Sequence, residues 1–333
     1  LSTREAVAIA HPNVALSKYW GKREGAGNFP AVPSLSVTLA GLATRTRVRW
    51  RDDLLADRIV LDGRELTTGE SPRAVALLGR VRAQLRQRAF AEVESRNDFP
   101  TASGLASSAS GFAALALAAI HSADGDWDAE RISDLARRAS ASAARSVFGG
   151  FVELDAGPSP AREEDVLAAR QLAPAGHMPL VVLVCVTTEA PKAMSSTDGM
   201  RKTMVESPYA SAWLDHAPRL HRQLRDALLA RDFERVGELA EGSALAMHAC
   251  ALAAGMTYWN AGTLEGLRAV RALREAGTPA YATIDAGPHV KVLVRPEDAA
   301  RVREAMKATP GVRRIIEATA GDGARLVSAG EGP

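Results

Sequence analysis

The chain has only two cysteines, Cys185 and Cys250, and both sit in apolar surroundings. Two isolated thiols make neither a disulfide framework nor a metal-ligand spacing. Buried free thiols and a reducing, cytoplasmic setting are therefore expected. No apolar run reaches the roughly 18 residues that a membrane span needs, so no membrane partner is expected. Leu1-Ser-Thr-Arg-Glu5 lacks the basic-then-apolar pattern of a signal peptide. The formal net charge of +2 is too small to point to nucleic acid. No internal repeat is visible, and no Gly-x4-Gly-Lys-Ser/Thr spacing of a Walker A loop occurs. What remains is a hydrophobic content of 47% and a charged content of 24%, ordinary for a globular chain. A length of 333 residues suggests about two domains with sizeable cores.

The most informative stretch is Asn97–Gly111, small, hydroxyl-rich and punctuated by glycine. It runs into Phe112-Ala-Ala-Leu-Ala-Leu-Ala-Ala-Ile120, a run of strong helix formers. A helix N-terminus offers unpaired N–H groups and a dipole that favours anions. Gly104 allows close approach, and Ser103, Ser107, Ser108 and Ser110 add hydroxyls. A phosphate cradle fits this pattern; a small-residue helix packed closely on a neighbour fits it equally.

Other segments place candidate groups around it. Ala6–Ala10 reads as a strand leading into His11–Lys22, where Lys18, Tyr19 and Lys22 crowd Trp20. These lysines can meet phosphate as point charges or lie on a solvated turn. Ser34–Leu39 and Thr44–Trp50 alternate as half-buried strands. Arg58–Gly63 is expected to join Thr44–Trp50 in an antiparallel set that turns at Asp62-Gly63. Arg73–Arg96 reads as a basic amphipathic helix with a solvated charged face, and Asp128–Ser142 as a second helix. Arg145 stands alone among small residues before Gly149-Gly150, and its anionic partner is either Glu153 or Asp155, or a group on a substrate. Phe151–Leu154 reads as an apolar strand, and Pro158–Pro174 as a connector with one short helix. Leu180–Val186 reads as a central strand, and helices are expected at 207–229, 231–249, 262–276 and 297–308. Ser195 or Ser196 can cap a helix, and His248 reads as a core or boundary residue. Strands are expected at Ala280–Ile284, His289–Val294 and 311–317. Between the first two, Asp285 is either a catalytic carboxylate or an ordinary turn or helix N-cap residue.

Five of these motifs, in this order, resemble the GHMP kinase superfamily and, within it, the mevalonate diphosphate decarboxylases. They are Asn13–Lys22 with Pro33–Leu39, Phe99–Phe112, Ser142–Gly150, Ser195–Met200 and Ile284–Pro288. Ala106, where the kinases typically carry glycine, resembles the decarboxylase branch. The resemblance implies a two-domain α+β protein. Residues 1–180 would be like ribosomal protein S5 domain 2 and residues 181–333 ferredoxin-like, with the last strand able to return to the N-terminal domain. It implies ATP, Mg2+, mevalonate 5-diphosphate as substrate, and a homodimer. A phosphomevalonate decarboxylase or a mevalonate 3-kinase would use the same scaffold. A non-enzymatic or RNA-binding descendant is disfavoured because Asp285, Arg145 and the serine-rich loop are intact.

By the same resemblance, Asp285, Arg145 and Lys18 are the catalytic set. Tyr19, Lys22, Ser140 and Ser142, with Arg145, would hold the substrate. Ser103, Gly104, Leu105, Ala106, Ser107, Ser108, Lys192 and Ser196 would hold ATP, with Ser107 reaching the metal. Two departures stand out. Ala141 replaces a usual glycine, and its Cβ is expected to crowd the diphosphate. His289 replaces a usual asparagine, again at the substrate pocket.

Overall fold

The computed structural model describes residues 5–25, 27–99, 107–190, 194–328, 330 and 332–333. The first half runs β1 (Glu5–Ala10), β2 (Asn13–Ser17), β3 (Ser34–Thr38), β4 (Thr44–Arg51), β5 (Arg58–Leu61), β6 (Arg64–Leu66), α1 (Pro72–Leu85), β7 (Phe90–Asn97), α2 (Ser107–Ser122), α3 (Ala129–Ala139), α4 (Ala143–Ser146), β8 (Phe151–Leu154) and β9 (Arg170–Ala173). The second half runs β10 (Val181–Val186), α5 (Ser196–Glu206), α6 (Ala210–Leu229), α7 (Phe233–Ala253), α8 (Ala261–Glu275), β11 (Ala280–Thr283), β12 (Val290–Val294), α9 (Pro296–Lys307), β13 (Arg314–Thr319) and β14 (Arg325–Val327).

Three sheets result, ordered β14-β1-β4-β7-β5-β6, β2-β3-β8-β9 and β11-β12-β10-β13. The third arises from a β-α-β-β-α-β succession of strands and intervening helices. Alternation explains the first: Thr44, Thr46, Val48 and Trp50 of β4 point inward while its arginines point out. Continuous apolar character explains β10, which is buried along its whole length between β12 and β13. Helix α2 is buried nearly all round because alanines let the sheet, α3 and α4 approach closely. Cys185 and Cys250 are both free and buried, and burial pushes the Cys185 thiol up to about 12.

Several sequence expectations need correction. The helix read over Arg73–Arg96 stops at Leu85, where Arg86 takes a left-handed conformation with φ 53°, and Phe90–Asn97 is a strand. Strand β5 pairs antiparallel with β6 through the Asp62-Gly63 turn, but β7 separates it from β4. The second helix ends at Ala139 because Ser140 is extended. Residues 158–174 contain a strand and no helix.

Two features bind the halves together. One apolar cluster joins Val14, Leu16, Leu35 and Val37 to Val182, Val184, Leu224 and Leu293. A buried polar chain runs beside it. Ser17 Oγ accepts from the Leu35 N–H at 2.8 Å and shares a second hydrogen bond with His221 Nδ1 at 2.9 Å. His221 Nε2 then donates to Glu153 at 2.8 Å. Burial would raise the Glu153 carboxyl, but its bonds to His221 and Arg170 outweigh this and hold it at about 2. This chain secures β2 where its register shifts between Ala15 and Ser17, just before Lys18. Replacing His221 with Ala removes one hydrogen-bond partner from the Ser17 hydroxyl and one from Glu153 Oε1, both buried. It is expected to lower unfolding free energy by ~1–3 kcal/mol, read as a lower urea midpoint with unchanged slope. A midpoint equal to that of the wild type would refute the role.

Candidate active site

Asp285 follows β11 at the break before β12. Its Oδ1 accepts from Lys18 Nζ at 2.7 Å, and its Oδ2 from Lys291 Nζ at 2.8 Å. Both lysine side chains are 2% exposed, whereas Asp285 is 25% exposed and opens outward. Asp285 is thus neither a helix cap nor a simple turn residue. Burial would raise its carboxyl, but Lys18 and Lys291 outweigh burial and hold it far below the ordinary range. Burial, aided by Lys291 and opposed by Asp285, draws the Lys18 ammonium down to about 8. Lys18 Nζ also donates to the Ala15 carbonyl at 2.8 Å, which fixes its direction.

Arg145, on the short helix α4, is buried close enough for its charge to act on Asp285 and Lys18. The two carboxylates considered for it are not its partners. Glu153 bonds Arg170 and His221 instead. Arg145 donates to Ser36 Oγ at 3.0 Å, Ser34 Oγ at 2.7 Å and Asn13 Oδ1 at 3.3 Å. Asn13 is itself anchored by donating to Ser146 Oγ at 2.7 Å and the Ser142 carbonyl at 3.0 Å. Three neutral oxygens therefore orient the guanidinium without cancelling its charge. A guanidinium has five N–H donors, so some remain for a ligand among the described residues.

The remaining candidates border this floor. The Tyr19 hydroxyl is buried without a partner among the described residues, and burial raises it well above its ordinary range. Ser140 and Ser142 hydroxyls lie 3.1 Å apart. Lys22 Nζ donates to Thr197 Oγ1 at 3.2 Å, at the start of α5. Ser195 caps that helix by accepting from the Asp198 N–H, and Ser196 is its first residue. Ser107 and Ser108 open α2. That end is tied to the sheet by the 2.6 Å contact between Ser110 and Thr44 hydroxyls. Ser103, Gly104, Leu105, Ala106 and Lys192 lie outside the described residues.

Both departures are buried. The Ala141 methyl lies in an apolar cluster with Val152, Leu154 and Ala169, and Tyr19 packs against the same cluster. His289 turns toward the end of β10, where its Nδ1 accepts from the Thr187 N–H at 3.3 Å.

Sequence reasoning missed three groups. Lys291 was hidden in an apolar strand, and its only signal was a charge inside Val290–Val294. Arg73 is exposed, as the solvated-face reading has it, and from there it lies 5.0 Å over the Phe112 ring and acts on Lys22. With Ser107, Ser108, Asn97 and Glu70 it lines a cavity of about 240 Å³ at the start of α2. His248, on α7, faces the Ile284 and Asp285 backbone and packs 5.0 Å from the Trp259 ring. Burial and Lys18 pull it down to about 3, so it is neutral.

Comparison with known proteins gives this geometry a family. The diphosphomevalonate decarboxylase-like N-terminal domain matches residues 10–168, and the mevalonate 5-diphosphate decarboxylase C-terminal domain matches residues 182–326. Phosphomevalonate decarboxylase of Haloferax volcanii is 34% identical over 310 residues, 91% of this chain and 92% of that protein. Diphosphomevalonate decarboxylase of Homo sapiens is 35% identical over 312 residues, 86% of this chain and 76% of that protein. The mevalonate diphosphate decarboxylase of Enterococcus faecalis, solved for its mevalonate diphosphate mediated ATP binding, superposes with a TM-score of 0.88. It is 36% identical, with 98% of this chain and 99% of that one covered. Two matched domains in tandem and relatives aligned over most of their length lead to one conclusion: the chain belongs to the mevalonate diphosphate decarboxylase family, enzymes of the GHMP kinase fold.

Proposed function

We propose that the chain catalyses ATP-dependent decarboxylation of mevalonate 5-diphosphate, giving isopentenyl diphosphate, ADP, phosphate and CO2. The observation that carries this reading is the partly open Asp285 carboxylate, held ionised by two buried ammoniums beside an Arg145 that pairs with no carboxylate among the described residues.

The roles follow from that arrangement. A tertiary alcohol is a poor nucleophile, so its orientation matters more than its basicity. Asp285 accepts a hydrogen bond from the 3-hydroxyl and takes its proton as the oxygen–phosphorus bond forms and ADP leaves. The C3–O bond then breaks, phosphate departs, and the electrons of the C–CO2 bond become the new double bond. Arg145 holds the substrate carboxylate in line for that loss through its remaining N–H groups. Tyr19, Lys22, Ser140 and Ser142 hold the diphosphate. The cavity beside Ser107 and Ser108 takes the nucleotide, with Arg73, Lys192 and Ser196 near its phosphates.

The donor set fits magnesium. No cluster of three His, Cys, Asp or Glu side chains occurs among the described residues. An ion held mainly by phosphate oxygens and water, with the Ser107 hydroxyl, is the usual habit of Mg2+. Bound there, it would neutralise phosphate charge during transfer.

Three outcomes are expected. Asp285→Asn lowers kcat for CO2 release by about 10²-fold or more while nucleotide affinity is kept; near-normal turnover would sink the assignment. Arg145→Gln damages kcat and substrate KM far more than ATP affinity, checked by parallel turnover and nucleotide titration. An equal ATP defect would place Arg145 on the nucleotide. Measured at equal ionic strength, kcat/KM for CO2 release favours the 5-diphosphate over the 5-monophosphate, since four donors await the second phosphate. The Haloferax relative makes the opposite preference the alternative reading.

A further inference from the structure

Lys291 is costly where it stands. Its neighbours on β12, Val290, Val292 and Val294, are apolar, and the strand is fully buried between β10 and β11. Placing an ammonium there costs several kcal/mol unless a partner compensates. The partner among the described residues is Asp285, at 2.8 Å. The same carboxylate already has Lys18 on its other oxygen, from β2 in the first half of the chain. Resting on the reading above, we infer that Lys291 is a positioning residue that locks the Asp285 carboxylate in the rotation that aims it at the substrate's 3-hydroxyl.

The terminal torsion of an aspartate is broad and roughly two-fold. Held by Lys18 alone, the carboxylate pivots about one oxygen. Held at both oxygens from opposite sides, it cannot, and the lone pairs left over point one way. A carboxylate has about four acceptor sites, so two remain after both lysines are served. Lys291 sits mid-strand, opposite Thr283 of β11 and Val184 of β10, so its backbone is rigid. Its side chain is 2% exposed, which leaves Asp285 as its route to the substrate.

The clamp has an electrostatic side as well. The charged and titratable groups facing Asp285 are Lys18 after β2, Lys291 on β12, Arg145 on α4 and His248 on α7. His248 is neutral, so three cations keep the carboxylate ionised. Removing one of them lets it take up a proton at higher pH, and activity is then lost at higher pH on the acid side.

The test is Lys291→Met, which keeps the bulk and removes the charge. CO2 release should fall about 10-fold or more in kcat, as expected for a misaimed catalytic group. KM for both substrates should stay within about threefold, because binding in the ground state is untouched. The acid limb of kcat should move to higher pH, and Lys291→Arg, which keeps the charge, should leave that limb where it was. A 13C titration of the Asp285 Cγ, assigned with Asp285→Asn, should show the same upward move and needs no turnover. A Lys291→Met enzyme with near-normal kcat and an unmoved Asp285 titration overturns the inference. If Lys291→Met does not fold, Lys291→Gln serves the same two measurements. A wild-type protein that releases no CO2 from either substrate overturns the function proposed above, while the Cγ titration still decides whether Lys291 governs Asp285.

Discussion

One carboxylate between two buried ammonium groups is the constraint on which the rest of this structure depends. Asp285 receives one lysine on each carboxylate oxygen, and each buried ammonium has that carboxylate as its ionic partner. The three groups come from two distant parts of the chain: Lys18 just after β2, and Asp285 and Lys291 from the break between β11 and β12 and from β12 itself. Folding must bring the halves into register to within a hydrogen bond. The shared apolar cluster and the Ser17–His221–Glu153 chain supply that register, immediately next to Lys18 in sequence.

The site also separates orientation from neutralisation. Arg145 is oriented by serine and asparagine oxygens, which fix a guanidinium without removing its charge. The Tyr19 hydroxyl and the Ser140–Ser142 pair are polar and uncharged. With Lys22 and Arg73 at its edge, the floor carries more cation than it cancels. Such a site favours a ligand that brings several negative charges, and field focusing in a recess strengthens the preference.

Motif reading went far here because the chemistry is local. The serine-rich run before α2, the isolated Arg145 and the Asp285 break each stand out from their own neighbours. Partnership was less legible. Lys18 and Asp285 lie far apart in sequence, and nothing in Val290–Val294 says which face of the strand Lys291 occupies. Arg88 and Arg96 were misplaced because a basic helix pattern was extended through the turn at Arg86 into β7. The packing of the Ala141 methyl was illegible for a related reason. A residue's neighbours in sequence suggest proximity to a ligand, but the direction of its Cβ is set by the cluster it packs into. The order of strands in the first sheet likewise depends on long-range pairing, which alternation alone does not encode.

The pairing of β14 with β1 bears on how the protein is made. Val7, Ala8 and Ile9 bond to Val327, Leu326 and Arg325, so one of the earliest strands is completed by one of the last. Glycines make the return path possible: a Cβ at Gly149 would lie 2.5 Å from the backbone nitrogen of Gly323. While the ribosome is still translating the C-terminal half, β1 has β4 on one side and an unsatisfied row of backbone groups on the other. The nascent chain therefore carries an open sheet edge until β14 has been made.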